Sequence, residues 1–236
     1  MTAATAKSVF WQGVRDGAPF VIVVVPFSLL FGVAATEAGL TLGQAMGFTV
    51  LVIAGASQFA ALQMMVDNAG IALVLLAALA VNLRMAMYSA ALVPYLGAAP
   101  LWQRACAAYL MFDQTYLASV KAYEERPALT LPQRMGYYFG VATPITPVWC
   151  GMTAVGVLVG ATIPEAMALD FALPITFLAM VAPMLRSLAH VAAAGTSVAV
   201  SLLLIGLPSG FGLLIAAACA MVVGVLVEGR TMEDRA

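Results

Sequence analysis

A chain of 236 residues that is 64% hydrophobic and 9% charged, with a mean hydropathy of +1.03, has too few charges to wet a soluble surface, which takes about 25%. Its net charge of -1, without clustered Lys or Arg, excludes a nucleic-acid-binding surface. Cys106, Cys150 and Cys219 lie in apolar stretches with no C-x-x-C and a single histidine, which argues against a disulfide framework, a metal site or a resident cofactor.

Met1 to Val14 is short and mildly polar and lacks the pattern of a cleaved signal peptide. A spanning helix needs about 20 apolar residues, so the intervals between charges give a count. Uncharged runs at Gly17–Thr36 and Ala38–Val66 predict two spans, the second opened by the turn Ala38-Gly39-Leu40-Thr41. Ala69–Leu96, interrupted by Arg84 alone, predicts a third, and Leu101–Val120, carrying Arg104 and Asp113, a weaker fourth. A polar loop, Lys121–Arg134, leads to spans at Tyr137–Gly160 and Phe171–Leu185. The run Ser187–Val227 is too long for one helix, and the turn Leu207-Pro208-Ser209-Gly210 divides it in two. The expectation is an all-α polytopic membrane protein, a single transmembrane domain over residues 1–236, with eight spans, or seven without the fourth.

With both termini in the cytoplasm, Lys7, Arg15, Lys121, Arg126, Arg134, Arg186, Arg230 and Arg235 fall on the cytoplasmic side and Arg104 alone on the other. That asymmetry follows positive-inside sorting. A faint repeat aligns Gly39–Met46 with Gly160–Met167 and Pro26 with Pro147, relating spans one to three with five to seven as parallel copies.

An ionisable or strongly polar group at membrane depth marks a functional hypothesis. Three sites stand out. Ala54-Gly55-Ala56 allows close backbone approach, with Ser57 and Gln58 adding polar groups, although small residues also serve plain helix packing. Asn82, Arg84 and Tyr88 share the third span, where Arg84 either meets a ligand or pairs with Asp113. Asp113, followed by Gln114, must find its partner on another helix or carry a proton. Pro26, Pro144 and Pro147 are candidate helix breaks whose freed ends would bind charge, with Pro174 and Pro183 at further span edges. His190 reads as a solvated interfacial residue, and the 14 methionines as apolar filler.

Several segments occur in a telling order: Pro26–Gly32, Ala54–Phe59, Asn82-Leu83-Arg84 with Tyr88 and Pro94, Asp113, and Tyr137–Gly140 with Trp149. In these the chain resembles the AzlC family, the large subunits of bacterial branched-chain amino acid exporters, over about residues 9 to 230. The resemblance implies an inner-membrane permease, not an enzyme, that exports leucine, isoleucine, valine and often methionine on the proton-motive force. It also implies a small AzlD-type membrane subunit as partner. The family usually carries Asp-Glu where this chain has Asp113-Gln114, which weakens a proton-relay role for that pair. A zwitterionic substrate needs both charges satisfied in a low-dielectric passage. Arg84 or a broken-helix N-terminus would hold the carboxylate, and Asp113 or free carbonyls near Gly55 the ammonium. A transporter of another small solute, a channel, a membrane-embedded enzyme and a structural subunit are the rival classes.

Overall fold

The computed structural model describes residues 5–162, 185, 187–206 and 211–233. Helices account for almost all of them, and no strand occurs among the described residues. The chain gathers into two compact units, one of Met1–Phe59 with Ala78–Glu165, the other of Ala60–Ala77 with Ala166–Ala236. The expected sixth span, Pro174, Pro183, Arg186, the Leu207–Gly210 turn and most of the second repeat segment lie outside the described residues.

In the first unit, α1 (Ala6–Gly17), a 3-10 turn at Ala18–Phe20 and α2 (Val21–Glu37) make one rod of 32 residues. Thr5 caps its start by accepting from the Ser8 amide. Gly39, at φ 82, ends it in a left-handed conformation open to glycine. The long helix α8 (Leu131–Gly160) opens on a capping box in which Thr130 and Gln133 satisfy each other's backbone. Rod and α8 lie side by side along their whole length. Gly13 faces Tyr137 and Gly140, Gly32 faces Thr153 and Gly156, and Thr36 Oγ1 donates to Val157 O at 3.2 Å. Both sets of numbers rise together, so the helices are parallel, as the aligned first and fifth spans of a parallel repeat would be. Asp16–Tyr137 and Thr36–Val157, both in contact, are each separated by the repeat's offset of 121 residues.

Pro26 sits inside α2, and Pro144 and Pro147 inside α8. The expected helix breaks at these prolines are therefore corrected. Each removes one backbone bond, but both helices continue through them, packed closely against each other along the face shared by α2 and α8. Thr143 and Thr146 add hydroxyl bonds to Phe139 O and Ala142 O beside the prolines of α8.

The chain breaks elsewhere, and there it reverses. The expected second span is two helices, α3 (Leu42–Val52) and α4 (Gly55–Val66), joined at Ile53-Ala54. Ile53 has φ 41 and ψ 33, a left-handed conformation costly for a β-branched residue. The Phe31 ring touches both Phe48 and Phe59, at 5.8 and 5.4 Å between centroids. Gln58 Nε2 donates to Thr49 Oγ1 at 3.2 Å. In a straight helix Phe48 and Phe59 would be about 16 Å apart. The pair is a hairpin: α3 descends along α2, and α4 climbs back from Phe27 toward Phe31.

The expected fourth span repeats this from the other end. It is α6 (Leu101–Tyr109) and α7 (Asp113–Glu125), separated at Leu110–Phe112. Along α5 (Ile71–Leu96), Arg84 meets Asp113, Tyr88 stacks on Tyr116 at 4.0 Å, and Tyr95 meets Tyr123 at 5.2 Å. So α7 runs parallel to α5, and α6, starting where α5 ends, must run antiparallel to both, back toward the middle of α5. Ser89 reaches Met111 at the turn. A helix of nine or eleven residues is about 14 to 16 Å long, half of the roughly 30 Å hydrocarbon core, so both hairpin tips reach mid-depth.

Among the described residues, the helices long and apolar enough to cross are the rod, α5 and α8. The second and fourth expected spans enter and return. Removing two crossings leaves the expected direction of α8 unchanged. It also moves Arg104. With α6 beginning beside the end of α5, Arg104 joins Lys7, Arg15, Lys121, Arg126 and Arg134 at one end of the unit. That end is knitted by Arg126 to Gln12 (2.6 Å), Tyr137 to Asp16 (2.7 Å), and Arg134 over the Tyr95 and Tyr123 rings.

In the second unit, α9 (Leu188–Leu203) and α10 (Phe211–Glu233) pair through small residues, with Gly224 beside Ala189 and Ala193. His190 is exposed, one turn from the Ser187 cap.

Candidate functional site

The two hairpin tips meet at the middle of α5. Tyr109, the last residue of α6, donates to Val50 O of α3 at 2.6 Å. Tyr138 of α8 donates to Ala107 O at 2.8 Å. Each interrupted span thus has a freed carbonyl answered by a tyrosine, which backbone at membrane depth requires when its helix stops. Tyr138→Phe, in a fully buried setting, is expected to cost about 1–3 kcal/mol by stranding that carbonyl. A denaturant titration in micelles reads it.

From the tips, α4 and α7 begin with their positive ends at mid-depth. The first helical bonds are Gln58 N to Ala54 O and Tyr116 N to Phe112 O. The amides of Gly55, Ala56 and Ser57, and of Asp113, Gln114 and Thr115, have no acceptor within their own helices. Two such ends carry about half a positive charge each.

Between them, α5 presents Asn82, Arg84 and Tyr88. Asn82 Nδ2 donates to Ser57 Oγ at 3.1 Å, tying α5 to α4. Arg84 binds Asp113 at 3.2 Å, tying α5 to α7, with side-chain exposures of 30% and 34%. Asp113 sits in the first turn of α7, where the helix end favours a carboxylate. Tyr88 lies within electrostatic reach of both charges. Gln58 and Ser57 are fully buried. Gln58 Oε1, Asn82 Oδ1, Thr115 Oγ1 and Trp149 Nε1 are buried without a hydrogen bond among the described residues, an arrangement that costs about 1–3 kcal/mol for each group.

Gly55 is held by contact. A Cβ there would stand 2.2 Å from the Phe27 ring and 2.6 Å from Trp149. The aromatic set Phe27, Phe31, Phe59 and Trp149 forms the apolar wall behind the α4 N-terminus.

Of the residues singled out in the sequence, Gly55, Ser57, Gln58, Asn82, Arg84, Tyr88 and Asp113 come together here. Pro26, Pro144 and Pro147 do not; they lie on the supporting pair of helices. Thr49, Tyr109, Thr115, Tyr116 and Tyr138 were missed. A hydroxyl signal was present at each, but its role depends on chain reversals that no local pattern announces.

The profile of the AzlC protein family matches residues 19–163, from the 3-10 turn through both hairpins to the end of α8. The chain belongs to the AzlC family. An uncharacterized membrane protein of Archaeoglobus fulgidus is 30% identical over 210 residues, which is 86% of this chain and 87% of that protein. The inner membrane protein YgaZ of Escherichia coli is 29% identical over 89 residues, 38% of this chain and 36% of its own. No solved structure matches the chain. The region that matches the AzlC profile thus contains both hairpin tips.

Proposed function

We propose that the chain is a proton-driven exporter of branched-chain amino acids in the bacterial inner membrane, working with an AzlD-type small subunit. The observation that carries this reading is the convergence of two half-helix N-termini and Arg84 with unpaired acceptors on Gln58 and Asn82. Donors and acceptors at one mid-depth place complement a molecule bearing both a carboxylate and an ammonium group. The Phe27, Phe31, Phe59 and Trp149 rings make the surroundings of the α4 N-terminus apolar, as an aliphatic substrate requires. One methylene in apolar surroundings is worth only about 1–3 kcal/mol, so Leu, Ile, Val and Met should be loosely distinguished. Positive-inside sorting would put the end bearing Arg104 and Arg126 in the cytoplasm, both termini with it.

The coupling step falls to Asp113. Protonating its carboxylate would release Arg84 toward the substrate carboxylate, and deprotonation would recover the pair. Efflux of preloaded radiolabelled leucine and methionine, with and without the small partner and an uncoupler, tests the whole reading. Arg84→Ala and Asp113→Asn are each expected to lower efflux more than about tenfold, since the remaining charge loses its partner at a depth where a lone Arg costs about 3 kcal/mol. Near-normal efflux from both variants, inserted at wild-type level, would remove the pair from the mechanism. Uncoupler-sensitive efflux of an unrelated solute alone would leave a transporter with a different cargo.

A further inference from the structure

A groove of about 330 Å³ runs between the C-terminal half of α5 and α6. Leu92, Val93 and Leu96 line one side and Ala105, Ala108 and Met111 the other, with Arg104 at the rim. Val93 is 61% exposed and the neighbouring Leu101 76%, so the groove opens sideways from the unit through apolar surface. Arg104 is exposed and makes no ion pair among the described residues. Its position is the end of the unit where Arg126 and Arg134 also lie, at the depth of a headgroup, while Met111 lies near mid-depth at the hairpin tip.

We propose that this groove holds one acyl chain of an anionic phospholipid, with Arg104 on its phosphate. The charge pattern selects the occupant. The lining offers a single cation and no carboxylate, so an amino acid would leave its ammonium unanswered, whereas a lipid presents one anionic head and an apolar tail. From Arg104 to Met111 the groove follows seven helical residues, about 10 Å, which takes the upper part of one acyl chain below its headgroup. Seated there, the chain fills the seam along which α6 lies on α5 and braces the second hairpin, a role outside substrate recognition.

The test is native mass spectrometry of the full chain, released from micelles with added phosphatidylglycerol or phosphatidylcholine. The wild type should retain phosphatidylglycerol about fivefold better, the worth of one basic residue at an anionic surface. Arg104→Gln should bring the two lipids to parity. Ala108→Trp, which adds bulk to the exposed α6 wall, should lose both while leaving the melting temperature within a few degrees. Equal retention by the wild type, a preference that survives Arg104→Gln, or displacement of bound lipid by added leucine would each overturn the assignment.

Discussion

Cysteines introduced at Ala98 and Ala128, in a background without Cys106, Cys150 and Cys219, are expected to react with an impermeant maleimide from the same side of the membrane. One at Thr41 should react only from the other. Ala98 lies between α5 and α6, Ala128 between α7 and α8, and Thr41 at the start of α3; all three are exposed. If the Leu101–Val120 segment crossed, Ala98 would share its side with Thr41. If it returns, as the Arg84–Asp113, Tyr88–Tyr116 and Tyr95–Tyr123 pairings require, Ala98 and Ala128 label together in inside-out vesicles and Thr41 in intact cells. The effect is all or none. Labelling of Ala98 with Thr41 would refute the second hairpin outright.

The sequence carried the class of the protein and much of the site, because both depend on local chemistry. Apolar length shows that a segment enters the membrane, and polar groups at depth mark where its cost is recovered. Direction is another matter. Ala38–Val66 has 29 uncharged residues, enough to cross, and nothing in its composition says that Ile53 takes a left-handed conformation. That conformation is imposed from outside the segment, by Phe31 packing against both arms and by Tyr109 on Val50 O. The prolines misled for the converse reason. A proline weakens a helix locally, but α2 and α8 continue through theirs, supported by packing between residues more than a hundred apart in sequence. Arg84 and Asp113 were legible as a pair since a lone charge at that depth is intolerable. Tyr138 was not, since a tyrosine that caps a half-helix looks the same in sequence as one that fills a core. Arg104, the one cation out of place in the eight-span reading, was the available warning that a crossing had been miscounted.

Gly156→Leu is expected to leave almost no folded protein, measured as the monodisperse fraction on size-exclusion chromatography in micelles. A Cβ on Gly156 would stand 2.1 Å from Leu29 O and 3.0 Å from the Gly32 Cα, and one on Gly32 would stand 2.3 Å from Thr153 O. These are backbone atoms, which cannot swing aside as a side chain can. In a bilayer there is no strong hydrophobic drive to hold separated helices together, so association rests on this close approach. Overpacking a well-fitted contact costs about 1–3 kcal/mol, so Gly156→Ala should lie at the upper end of that range and leucine beyond it. Gly151→Leu, on the same helix with nothing within 4 Å of its Cβ position, should fold like the wild type. The loss should extend to the site, because Trp149 on α8 and Phe27 on α2 together support Gly55 at the α4 N-terminus. A Gly156→Ala protein that remains folded should therefore lose efflux more than stability alone explains. Wild-type behaviour of Gly156→Leu would mean that the two helices do not pack as described, and the hairpins measured against them would lose their frame.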